Sequence, residues 1–184
     1  MAWILLIIVA VLIIAAIGIY NGLIKLRQRV KNAWSQIDVQ LKRRYDLVPN
    51  LVETCKGYMK HERELLENVT RARADAISAK GSVAEQARAE DALSQTLRSL
   101  FAVVENYPDL KANRNLLALQ EELTTTENRI AFARQHYNDQ AMKLNTKTEV
   151  FPSNLVANLF NFKKEDFFEV ESAEERKAVK VSFS

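Results

Sequence analysis

From Ala2 to Ile24 the chain carries no charged residue, and the stretch WILLIIVAVLIIAAIGIY, Trp3 to Tyr20, is almost wholly apolar. About 20 such residues, rising about 1.5 Å each, cross a hydrocarbon layer about 30 Å thick. Trp3 and Tyr20 stand at the two ends of the run, where aromatic rings favour the headgroup level. The pattern predicts a transmembrane anchor over residues 1–22. A cleaved signal peptide is the rival reading. It needs a basic leader, yet only Met1 and Ala2 precede the run, and AAIG is a poor cleavage site.

Beyond the anchor, Leu23, Leu26, Val30, Ala33, Ile37 and Leu41 recur at steps of three and four, one apolar stripe on a helix. YDLVP then reads as a corner, with Asp46 capping a second helix and Pro49 in its first turn, where a missing N–H costs little. A continuous helix kinked at the proline is the alternative. The second helix carries Leu51, Val52, Cys55, Tyr58, Met59, Leu65, Leu66, Val69 and Ala76 and stops at Gly81. SVAE, Ser82 to Glu85, is a capping box that opens a third helix through Leu93, Leu97, Leu100, Phe101 and Val104. NYPD breaks that one, and Asn113 starts a fourth, striped by Leu116, Leu119, Leu123, Thr126, Ile130, Ala133, Tyr137 and Leu144. Short connections make successive helices antiparallel. The expected fold is therefore all-α: an N-terminal transmembrane helix, then an up-down four-helix bundle over 23–147 with coiled-coil-type packing. The second helix is longer than the first outside the anchor, which predicts a tilted bundle hinged at Asn21 and Gly22.

FPSNLVANLFNF closes the helical part as an apolar stub over 148–162, carrying Leu155, Val156, Leu159, Phe160 and Phe162. It is expected to plug the membrane-proximal end of the bundle; the alternative is an interfacial anchor dipping into headgroups. A tail of mixed charge over 163–184 is expected to be mobile.

Composition sharpens this picture. Four glycines and three prolines leave little turn material. A net charge of +3, with acids interleaved among the bases, argues against nucleic acid as a partner. A single cysteine, Cys55, excludes an internal disulfide. Lys25, Arg27, Arg29 and Lys31 follow the anchor directly, so the positive-inside rule puts the bundle in the cytoplasm and the N-terminus outside. Lys42, Arg43 and Arg44 form a second basic group. As a helix end it complements the macrodipole; as an exposed cluster it is a candidate partner-binding surface.

No site for chemistry emerges. HEREL at His61 lacks the second histidine of a zinc protease, neither histidine has the glutamate of a carboxylate-bridged metal pair, and no phosphate-binding glycine loop or nucleophile elbow occurs. Cys55 falls on an apolar face, where a buried inert thiol is expected. The expectation is no catalytic residue, no cofactor and no metal. Asp38, Asn50, Glu53, Thr126, Asn128, Arg129 and Asn138 lie near the core stripes and are expected to pair across helices and fix register.

AWSQIDVQLKRRYDLVPNLVETCKGYMKHE, Ala33 to Glu62, resembles the signature of the bacterial LemA family. NYPDLKANRNLLALQEELTTTENRIAFARQHYND and FPSNLVANLFNF resemble its later blocks, so the likeness covers most of the chain. The resemblance implies a single-pass inner-membrane protein with a cytoplasmic four-helix bundle and no enzymatic activity. One branch of that family is associated with magnetosome membrane formation. The expected function is a membrane-anchored scaffold that self-assembles as a homo-oligomer and organises or shapes the bilayer. A tethered adaptor that recruits a protein partner is the alternative.

Overall fold

The structure, a computed structural model, describes residues 2–168, and every regular element among them is helical. Helix α1 runs Ala2–Lys56, α2 Arg63–Ser78, α3 Val83–Val104, α4 Pro108–Lys111, α5 Arg114–Glu149 and α6 Ser153–Leu159.

The largest departure from expectation is α1. It passes through Asn21, Gly22 and Pro49 without interruption, so neither the hinge nor the corner at YDLVP exists. Proline inside a helix removes one backbone hydrogen bond and costs about 3 kcal/mol. The buried stripe explains why the helix continues regardless: Leu41, Arg44, Val48, Leu51 and Cys55 are all covered at unbroken steps of three and four, with Val52 buried beside them. Stopping at Pro49 would uncover that face. The expected second helix instead divides. It breaks at Gly57–Glu62, where Tyr58 and Met59 N–H both donate to the Cys55 carbonyl, and α2 starts afresh at Arg63. The length mismatch that predicted a tilt goes with it.

The chain forms two compact units, one from Met1–Leu47 with Leu117–Phe167, the other around Val48–Leu116. In the first, α1 and α5 run antiparallel: Arg43 meets Glu122, Arg44 meets Glu127, and Trp34 stacks edge-on against Tyr137 at 5.2 Å. Leu23, Val30, Ala33, Ile37 and Leu41 bury one stripe; Leu123, Ile130, Tyr137, Ala141 and Leu144 bury the other. The buried Thr126 hydroxyl donates to the Glu122 carbonyl one turn back, which satisfies it within its own helix. After α5 the chain reverses at Val150–Pro152. The Ser153 hydroxyl lies 2.7 Å from the Lys147 carbonyl and 2.9 Å from that of Val150, fixing the start of α6.

The beginning of the expected mobile tail is held. Asn145 grips the Glu165 backbone at both N–H and carbonyl, 2.9 Å each, and the Tyr137 hydroxyl donates to the Asp166 carbonyl at 2.9 Å. The remainder of that tail, 169–184, lies outside the described residues.

In the second unit α2 and α3 form a helical hairpin. Ser82 caps α3 by accepting from the Glu85 N–H, as the SVAE pattern predicts. Leu66, Val69 and Ala76 face inward from α2; Ala87, Leu93, Leu97, Leu100 and Val104 do so from α3. NYPD ends α3 and nucleates the short α4, after which the Asn113 side chain caps α5 by accepting from the N–H groups of Asn115 and Leu116.

Candidate functional site

Among the described residues, nothing covers the N-terminal part of α1. Trp3 is 80% exposed, and every large apolar side chain from Ile4 to Ile14, with Ile17, is exposed as well. A soluble domain does not leave so long an apolar surface in water. Its only stable surroundings are apolar ones, and the length suits a bilayer.

Coverage begins at Tyr20. Its ring lies 4.7 Å from Phe160 and 5.9 Å from Phe162, centroid to centroid. The Arg27 guanidinium sits over the Phe162 ring at 5.2 Å, a cation–π contact. The end of the anchor and the C-terminal stub, expected at the same end of the bundle, thus meet in one aromatic cluster. Lys25, Arg29 and Lys31 remain exposed around it, while Arg27 is half-buried. Within α6 the stub divides by face: Ser153, Val156 and Ala157 turn inward, whereas Leu155 and Leu159 stay exposed, with Phe151 and Phe160 on either side of the helix. Plugging accounts for only one face of it.

The second basic group does not act together. Lys42 pairs with Asp46 on the same helix at 2.8 Å, and Arg43 reaches Glu122. Arg44 is 0% exposed and bonds Glu127. None of the three lies at a helix end, because α1 continues to Lys56, so the macrodipole reading falls. Of the seven polar residues expected near the core, Thr126 alone is buried. The structure buries Arg44, Glu90, Gln140, Thr148 and Ser153 in addition. Arg44 and Glu90 were missed because charge marked them as surface. Their positions at helical spacing, between Leu41 and Val48 and between Ala87 and Leu93, were the available signal.

Burial raises the Tyr137 hydroxyl to about 12, with Glu165 and Asp166 adding to the effect. Cys55 is fully buried, and desolvation raises its thiol to about 11. A rise of two units from 9 leaves about a hundredfold less thiolate at pH 8. Native Cys55 is therefore expected to react with a thiol reagent at least about a hundredfold more slowly than in urea. Its contribution to stability is complete below about pH 9 and is lost as pH climbs towards 11, because the unfolded thiol ionises first. A reagent titration with and without urea checks both statements.

Two grooves open on the surface of the described residues. One, of about 830 Å³, has Val52, Met59 and Leu66 in its wall and Lys56, Lys60 and Arg63 at its rim. The other, of about 600 Å³ in the first unit, presents Val39 and Phe132, 63% and 72% exposed.

These features define an all-helical protein with, among the described residues, one helix long and apolar enough to cross a membrane. The chain belongs to the LemA family, whose model matches residues 33–183. It is 30% identical over 144 residues to "Protein LemA" of Metamycoplasma hominis, covering 77% of this chain and 64% of that one. It is 24% identical to "Magnetosome protein MamQ 2" of Paramagnetospirillum magneticum, over 84% of this chain and 66% of that one. It is 22% identical to "Magnetosome protein MamQ" of Magnetospirillum gryphiswaldense, over 81% and 64%. The matched region spans just under two thirds of the length of each of these relatives.

Proposed function

We propose that the chain is a non-enzymatic scaffold of the bacterial inner membrane, anchored by the first part of α1, which self-assembles and so organises or shapes the bilayer. The observation that carries this reading is the exposed apolar run from Trp3 to Ile17, continuous with the part of α1 that presents Val39 beside Phe132 of α5 in one groove. Tethering confines copies to two dimensions and raises their effective concentration, so a small apolar patch suffices for association. The magnetosome naming of two relatives supports a membrane setting. The basic residues Lys25, Arg27, Arg29 and Lys31 support an N-terminus outside and the remainder in the cytoplasm. An up-down arrangement of four helices belongs to this reading, supported by the antiparallel pairing of α1 with α5 and by the short α2–α3 link.

The adaptor reading has one specific support, the groove beside Met59 with an apolar wall and a rim where Lys56, Lys60, Arg63 and Arg71 outnumber Glu67, which suits an amphipathic helix of a partner. Crosslinking in native membranes separates the two. Self-assembly predicts homo-crosslinks that weaken about tenfold in Phe132→Lys, the effect of removing one interface anchor. The melting temperature should stay unchanged, since Phe132 is exposed. Crosslinks to another protein, with none between copies, would overturn the scaffold in favour of the adaptor.

A further inference from the structure

We propose that the segment around α6 is a second lipid contact: an amphipathic foot lying among the headgroups of the leaflet where α1 leaves the bilayer. The inference rests on the anchor reading above and adds a site to it.

Depth is the first argument. Tyr20 ends the bare apolar run, and Phe160 packs on its ring at 4.7 Å. Whatever layer surrounds Tyr20 therefore also surrounds Phe160. Amphipathic helices at an interface bury their apolar face about 5–10 Å into the headgroup–acyl boundary, which is the level an aromatic residue at the end of a span occupies.

The second argument is the shape of the surface. Val156 and Ala157 tie α6 to the protein, while Leu155 and Leu159, four residues apart, are 61% and 78% exposed on the other side, with Phe151 exposed just ahead of the helix. A helix with one face packed and the other apolar and bare needs a second apolar phase. Phe160, next after Leu159 and 53% exposed, packs on Tyr20, where the uncovered surface of α1 ends. Lipid already needed to cover α1 thus reaches α6 without any further partner.

Charge is the third. Lys25 and Arg29 are exposed on α1 within about 14 Å of Tyr20 along the axis. Lys163 and Lys164 follow the aromatic cluster directly and are exposed, with Lys164 shared with Glu149. Cations around an apolar foot match the phosphates of anionic lipids.

The test uses the full chain in phosphatidylcholine–phosphatidylglycerol vesicles, with an environment-sensitive fluorophore on single introduced cysteines. Native Cys55 is buried, so the unsubstituted protein serves as the blank. Leu155→Cys and Leu159→Cys report on the foot, Ile8→Cys on the anchor and Glu64→Cys on an exposed surface of α2. The expected result is blue-shifted emission at positions 155 and 159. Lipids spin-labelled near the headgroup should quench these two sites several-fold more strongly than lipids labelled deep in the chain. Position 8 should be quenched best by deep labels, and position 64 by aqueous iodide alone. Iodide quenching at 155 and 159 like that at 64, with position 8 still in lipid, overturns the foot and leaves the anchor standing. Loss of lipid quenching at position 8 overturns both. Blue-shifted emission at 155 and 159 that grows with protein density and ignores labelled lipid assigns the face to a second copy, and also overturns the proposal.

Discussion

Arg44→Ala is expected to destabilise the first unit by about 2–3 kcal/mol, chiefly the cost of emptying the space of a fully buried side chain, with a smaller loss from its ion pair to the half-exposed Glu127. The guanidinium is 0% exposed, so truncation leaves an unfilled volume and takes a buried cation away from the half-exposed Glu127 carboxylate. Arg44→Met, which keeps the packing of the stem, should cost less. Arg44→Met combined with Glu127→Leu should recover most of the loss, because an apolar pair of similar volume escapes the desolvation penalty. Urea unfolding of the detergent-solubilised protein, followed by helical circular dichroism, measures all three. A change within about 0.5 kcal/mol for Arg44→Ala, the range of an ordinary surface substitution, would show that the pair does not hold the unit together.

A second large effect is expected in the anchor. Arginine near the centre of a spanning helix costs about 2.5–3.5 kcal/mol on the insertion scale. Ile8→Arg with Leu12→Arg, one turn apart on the same face, should therefore oppose insertion by about 5–7 kcal/mol, enough to shift the partition by about four powers of ten. In alkaline carbonate extraction the doubly substituted chain should leave the membrane pellet. Val39→Arg, equally apolar to charged but outside the run, should stay with it. Retention of the double variant in the pellet would mean that something other than this helix holds the chain to the membrane.

Legibility in the sequence followed the strength of the local signals. Ser82 and Asn113 are caps with a backbone mechanism, and both start helices where expected. The charge-free run before Lys25 needed no tertiary information either. The corner at YDLVP failed because two local signals, a proline and a basic cluster, pointed the same way and tertiary burial outweighed them. Counting Arg44 as a core position restores an unbroken stripe from Ile37 to Cys55, and with it a single helix. Gly57 gave the opposite error: its flanks continue the apolar spacing through Tyr58 and Met59, so periodicity hid a real break. For the candidate site, each half was readable alone. That the stub lies at the membrane-proximal end followed from the alternation of helix directions; its particular contact with Tyr20 did not, because Tyr20 and Phe160 are 140 residues apart.

With its apolar end held in a bilayer, the uninterrupted α1 would act as a lever arm within the first unit. From Tyr20 to Leu47 the helix extends about 40 Å, at about 1.5 Å per residue. Membrane helices change inclination when the bilayer thins or thickens. A swing of about 10° at the fulcrum would carry the far end of that arm sideways by about 7 Å, converting bilayer thickness into lateral displacement.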